Sequence, residues 1–156
     1  GAERTIPAAG AGRPVVGRAA LIETHVKQAL ILFAHGARAA SWAAPFERLR
    51  DLSQARMPGT SVHLAFLELM TPRLPELVAT LLAELPAGAI LDVTVVPVFL
   101  GQGGHVLRDL PLLLEELRQQ HPALRLKVVE AVGESASVLA AIADYCVAAP
   151  GSSPLP

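Results

Sequence analysis

The sequence offers almost no sulfur chemistry, since Cys146 is its one cysteine. That excludes an internal disulfide and any site built from several thiolates. Aromatic residues make up only 4% of the chain, so a core has to come from Leu, Val, Ile and Ala. No charge of one sign dominates: 13 basic residues stand against 14 acidic ones, for a net charge of -1. A nucleic-acid binder needs a basic face, so no nucleic-acid partner is expected. An acidic ligand would have to be met by locally placed arginines. No apolar run approaches the roughly 20 residues that cross a membrane; the longest, 28–34 and 93–100, have the length of strands. The first residues contain no continuous apolar stretch, so no signal peptide is expected. A lone cysteine is compatible with a reducing cytoplasm, where the chain is expected to work.

What is present is apolar and aliphatic: 52% of the residues are hydrophobic and 17% charged, which excludes a disordered chain. A length of 156 residues suits one domain, large enough to bury roughly 70% of its unfolded surface. Residues 1–19, rich in Gly, Ala, Pro and Arg without periodicity, are expected to form a disordered arm, and 149–156 a disordered tail. Between them, residues 20–148 form a single lobe. Apolar runs over 28–34, 61–69, 90–100 and 124–131 predict four strands. Between and after them, 42–56, 73–85, 105–120 and 135–147 predict four helices, with Trp42, Phe46, Leu49 and Leu52 at helical spacing and Ser135 as an N-cap. Pro72 and Pro75 stand near the start of the second helix, where proline is tolerated. Four βα units in series predict an α/β fold: a flavodoxin-like open parallel sheet in the order 2-1-3-4, with helices on both faces.

In such sheets ligands bind beyond the carboxyl ends of the strands, where the strand order reverses. His35 follows the first predicted strand, Glu68 ends the second, and the run from Gly101 to His105 follows the third. All are expected on one edge. Gly36 lets the backbone turn sharply and leave the His35 imidazole exposed; the plain alternative is a loop histidine bonded to a carbonyl. Gly103 and Gly104, with Gly101, give a flat ligand room to approach the backbone. They match neither nucleotide fingerprint, so no nucleotide is expected. At a helix N-terminus the dipole disfavours a protonated His105, and a neutral imidazole is what a metal needs; the alternative is a simple cap. Glu68 reads as a carboxylate inside an apolar strand, and partial burial would make it a better proton acceptor; the alternative is a strand-end glutamate in water or paired with an arginine. A set of two histidines and a glutamate is acceptable to iron, cobalt, nickel or zinc. Arg38, Arg73 and Arg108 lie just beyond three strand ends and could bind carboxylates. His25, His63 and His121 read as structural or solvated, and Cys146 as a small packing residue.

Three stretches together resemble a known family: Phe33-Ala34-His35-Gly36-Ala37-Arg38, Ala65-Phe66-Leu67-Glu68-Leu69-Met70-Thr71-Pro72, and Val95 to Val106 with Asp109-Leu110-Pro111. They are similar to the CbiX-type sirohydrochlorin chelatases, class II metal chelatases of cobalamin and sirohaem synthesis. The resemblance runs from about Leu30 to Cys146, and its most specific part is Pro97 to His105. It implies a chelatase lobe whose two metal-site histidines fall on His35 and His105 and whose catalytic glutamate falls on Glu68. It also implies a sirohydrochlorin-type tetrapyrrole as partner. Larger members hold two lobes, so this single lobe resembles the short form and is expected to pair as a homodimer. Ala37 stands where the family usually has serine, and Ala39 and Ala40 stand where an acidic residue is usual.

The expected reaction is insertion of a divalent metal, cobalt or iron and possibly nickel, without nucleotide hydrolysis. His35 and His105 hold or deliver the metal, and either a histidine or Glu68 accepts a pyrrole proton. Arg38, Arg73 and Arg108 meet the carboxylates of the macrocycle, and Phe99, Leu100 and Leu69 form an apolar floor. The alternative is a non-catalytic metal or tetrapyrrole carrier on the same fold.

Overall fold

The computed structural model describes residues 1–2, 25–101 and 103–156. The expected arm over 1–19 therefore lies, apart from its first two residues, outside the described residues. Four strands, Val26–Ala34 (β1), Ser61–Phe66 (β2), Ile90–Pro97 (β3) and Leu124–Val128 (β4), form one sheet. Its order is β2-β1-β3-β4, and every pairing is parallel. The helices are Ala44–Arg56 (α1), Leu74–Ala83 (α2), Gly104–Gln120 (α3) and Ala136–Ala148 (α4). The strand order and the α/β architecture are those expected. Among the described residues no helix is long and apolar enough to cross a membrane.

Central β1 is buried on both sides, as befits a strand between parallel neighbours. Ala29, Ile31 and Phe33 face one apolar cluster, and Leu32 and Ala34 face the other. Crossovers from a strand to a parallel neighbour are right-handed. The leftward step from β1 to β2 therefore puts α1 on one face, and the rightward steps through α2 and α3 put those helices on the opposite face. Leu74, Leu77, Val78 and Leu81 of α2, spaced for one helical stripe, join Leu114 and Leu117 of α3 against the sheet. On the α1 side, Ala43 is buried and Trp42 and Phe46 are partly buried, their rings 4.6 Å apart.

Three strands stop earlier than expected. β2 ends at Phe66, whose N–H on the free edge donates to the Pro72 carbonyl (2.9 Å) while Leu67 N–H makes the last bond to β1, at the Ala34 carbonyl (2.8 Å). Leu69, at φ 66°, then reverses the chain. β3 ends at Pro97, after which Val98 still donates to Phe33 (2.9 Å). β4 ends at Val128, and the next residue makes its last rung, from Val129 N–H to the Val95 carbonyl (3.0 Å). This edge strand leaves Arg125 and Lys127 exposed. From α3, Arg118 donates twice to the Leu126 carbonyl, at 3.1 and 2.7 Å.

A single 3-10 turn over Val132–Glu134 leads to α4, where the Ser135 hydroxyl accepts from Val138 N–H at 3.5 Å, the expected N-cap. No residue of α4 is buried. Cys146 is correspondingly exposed, which corrects its reading as a packing residue: its helix does not lie on the sheet. Residues 149–151 make one further 3-10 turn.

Candidate functional site

The carboxyl ends of β1 and β3 meet at the reversal of strand order. β1 is held on both sides there: Val98 N–H donates to the Phe33 carbonyl (2.9 Å) and Leu67 N–H to the Ala34 carbonyl (2.8 Å). His35 is the next residue and is half-buried. Its ring lies 4.8 Å from that of Phe99, tilted by 48°. Phe99 in turn meets the buried Phe33 edge-on, at 6.5 Å and 65°. A column of rings therefore connects the core to the imidazole and limits its rotation.

Gly36 has φ 89°, and a Cβ there would overlap the Glu68 carbonyl oxygen. Its glycine is required twice, by conformation and by the close approach of a second backbone. Glu68 N–H donates to the His35 carbonyl (3.1 Å), and the Glu68 carbonyl accepts from Met70 N–H (2.8 Å) across Leu69 in a three-residue turn. Glu68 is thus pinned through its backbone beside His35. Its side chain is exposed, which corrects its expected place inside an apolar strand: the extended run has already ended at Phe66.

After β3, Gly103 occupies the N-cap position of α3, Gly104 opens that helix and His105 follows. Both histidine positions therefore lie at adjacent strand ends, though the His105 side chain falls outside the described residues. A Cβ at Gly101 or Gly104 would meet nothing within 4 Å, so packing does not require glycine at either. The base of this loop is anchored by a residue that sequence reasoning missed. Gly133 donates to the Phe99 carbonyl (3.2 Å), and a Cβ there would overlap the Leu100 backbone.

Two hollows open near His35. A cleft of about 550 Å³ runs between α1 and α4, with His35, Phe99 and Leu100 at one end, Phe46 on one wall and Ile142 on the other. Its lining is apolar apart from His35 and Arg48. A second hollow, of about 370 Å³, contains Arg38, Glu47, Leu69 and Thr71. The expected floor is therefore divided: Phe99 and Leu100 line the cleft, while Leu69 lines the other hollow. Arg73 Nε donates to the Leu67 carbonyl at 3.3 Å, bracing its own loop, and Arg108 is exposed on α3. Among the described residues no three His, Cys, Asp or Glu side chains cluster as metal ligands. His63 lies within β2, bonded to Ser61 Oγ at 2.9 Å. Burial first, then the positive charges of Lys27 and Arg50, lower its pKa, and Glu84 opposes them. His121 lines a hollow with Leu82 and Pro86.

Solved structures share this fold. One is a protein described as a CbiX protein of cobalamin (vitamin B12) biosynthesis from Marinobacter aquaeolei VT8. It is 28% identical, with a TM-score of 0.69, and the match covers 81% of this chain and 99% of that one. Two are of SirB. The protein from Bacillus subtilis with Fe3+ is 20% identical, with a TM-score of 0.64 over 82% of this chain and 48% of that one. The sirohydrochlorin chelatase SirB from Bacillus subtilis subspecies spizizenii, in complex with cobalt, is 20% identical, with a TM-score of 0.62 over 78% of this chain and 50% of that one. The chain thus spans about half the length of either SirB. No curated protein matches it. The family match agrees with the fold: residues 29–148, from within β1 to the end of α4, match CbiX, and the chain belongs to the CbiX family.

Proposed function

We propose that this protein is a sirohydrochlorin chelatase that inserts cobalt or iron, as the divalent ion, into the macrocycle without nucleotide hydrolysis. The observation that carries the reading is His35, half-buried and braced on Phe99 where the strand order reverses, one strand away from the loop that leads into His105. The metal is a substrate, so a site of few ligands suits it: a closed ligand set would retain the ion instead of releasing it. His35 and His105 receive the metal and present it to the ring nitrogens. As metal–nitrogen bonds form, two pyrrole N–H bonds break and two protons leave. Exposed Glu68, tied to the His35 carbonyl through its own N–H, or a histidine that has released the metal takes one proton and passes it to water, and the second leaves to water by the same route. Open space at Gly101 and Gly104 supports close approach of a flat ring. Arg38 and Arg108, both exposed, can meet its carboxylates, whereas Arg73 first has to leave the Leu67 carbonyl. A single lobe covers one side of the ring, so a second copy is expected to cover the other, as a homodimer.

The test is steady-state insertion into sirohydrochlorin, followed by absorbance with cobalt(II) and iron(II) in competition, together with circular dichroism. Wild type should turn over many equivalents per site, while His35→Ala and His105→Ala should be folded and lose most of the rate. Glu68→Gln should lower kcat more than it raises KM. Rates near wild type in both histidine variants would overturn the proposed metal role. A wild-type reaction that halts at one equivalent would identify a carrier.

A further inference from the structure

Phe99 meets the candidate site twice, through its ring and through its backbone. The ring lies between the buried Phe33, 6.5 Å away, and His35, 4.8 Å away. Neither neighbour is free to follow it. Phe33 is fully buried, and the chain entering His35 is tied to β2 by Leu67 N–H on the Ala34 carbonyl (2.8 Å). The place of the Phe99 ring against the imidazole is therefore set by the backbone of Phe99 itself. That backbone has two ties. Upstream, Val98 is buried and donates to the Phe33 carbonyl. Downstream, the Phe99 carbonyl accepts from Gly133 N–H at 3.2 Å.

Gly133 is glycine for a different reason from Gly36. Its φ is not positive, so a side chain there would meet no conformational barrier. The obstacle is contact alone, because a Cβ would overlap the carbonyl of Leu100. Backbone meets backbone, so one of the two segments would have to yield. The turn that carries Gly133 is the firmer one. Ala131 is 1% exposed, Glu134 N–H donates to its carbonyl (2.9 Å), and Ser135 N–H donates to that of Val132 (3.1 Å). Beyond Leu100, in contrast, a Cβ on Gly101 meets nothing within 4 Å. A side chain at position 133 would thus push Leu100 outward and draw Phe99 away from the imidazole.

We propose that Phe99 is a positioning residue for His35 and that Gly133, from beyond β4, holds it in place. The ring restricts the imidazole before the metal arrives, so less side-chain freedom is lost when the ion binds. The same backbone is where the chain leaves the sheet toward His105, so the clamp also fixes the point from which that loop departs. An apolar floor would need only an apolar side chain at position 99, and leucine would serve; a brace needs a flat ring. The inference rests on the metal role proposed for His35.

Histidine ε1 proton signals of the metal-free protein read the brace directly, with the His35 signal assigned by its loss in His35→Ala. The ring current of Phe99 displaces that signal in the wild type. Phe99→Leu and Gly133→Ala should return it toward the position of a free histidine, and Phe99→Tyr should keep it displaced. Cobalt(II) titrated alone, followed by visible absorbance, should bind the leucine and alanine variants roughly 10- to 100-fold more weakly. At saturating cobalt(II) their kcat for insertion should fall by a similar factor, with KM for sirohydrochlorin within about twofold of wild type. A folded Gly133→Ala with an unmoved His35 signal would overturn the clamp. If that variant does not fold, hydrogen exchange at the Gly133 amide of the wild type decides instead, and an unprotected amide would overturn it. A Phe99→Leu variant with raised KM and unchanged kcat would make Phe99 a floor residue and overturn its positioning role. A wild type that binds cobalt(II) yet turns over no sirohydrochlorin would overturn the chelatase reading alone. The brace would then stand or fall on cobalt affinity, and equal affinity in all variants would overturn it.

Discussion

On one face of the sheet α2 and α3 bury Leu74, Leu77, Val78, Leu81, Leu114 and Leu117; on the other, α1 and α4 bury no residue of their own. The first face is a sealed aliphatic layer and carries most of the burial that opposes chain entropy. The second is thinly covered, and the cleft that ends on His35 lies within it. The main core and the candidate site are therefore divided between the two sides of one sheet. The strands serve both, because alternate residues of β1 point to opposite layers.

Substitutions can break this contrast or sharpen it. Leu114→Ala, in the sealed layer, should cost about 2–5 kcal/mol of unfolding free energy, read from urea unfolding; a loss near zero would mean that this layer is not the main core. Gly36→Ala should cost about 1–3 kcal/mol, from a left-handed φ imposed on a residue with a Cβ. It should also slow insertion by displacing His35 from Glu68, and an unchanged melting temperature with an unchanged rate would contradict the close approach of Gly36 to the Glu68 carbonyl. On the thin face, Leu52→Ala, at a side chain 66% exposed, should lie within about 0.5 kcal/mol of wild type in urea unfolding; a loss of the size expected for Leu114→Ala would mean that this face is packed as tightly as the other. The smallest effect concerns His63. Its folded pKa lies below 6.5, so the unfolded chain takes up a proton first as pH falls. Stability should therefore decline from pH 6.5 down to the lower folded value and stay level below it. His63→Gln should remove that slope from urea midpoints collected on either side of pH 6.5; an identical slope in the variant would assign it elsewhere.

The strand order and the position of His35 were legible in the sequence for local reasons. Each strand is a continuous aliphatic run, and a glycine directly after His35 marks the turn. The displacement of Glu68 was hidden, because the turn that removes it from the strand centres on Leu69, a residue that seldom adopts φ 66°. Leu67 and Leu69 read as strand continuing. Gly133 was hidden for a different reason: its need for a bare Cα arises from Leu100, far away in the chain and adjacent only once β3 and β4 pair. The exposure of Cys146 was likewise not written locally. The composition of α4 describes a buried helix, and burial depends on what lies beside it in space.

The two contacts from Arg118 to the Leu126 carbonyl have a consequence for what this sheet refuses. Along β4, Ala123 and Val129 bond inward to β3, so by the two-residue alternation of a parallel ladder Leu126 points its carbonyl toward the free edge. That oxygen is the acceptor an incoming strand from another chain would use first. The guanidinium occupies it at 3.1 and 2.7 Å, on a strand only five residues long that also carries Arg125 and Lys127. A short, charged edge with its central acceptor already taken is a poor template for strand addition and for fibril growth. At that edge the lobe is protected from running on into a continuous sheet.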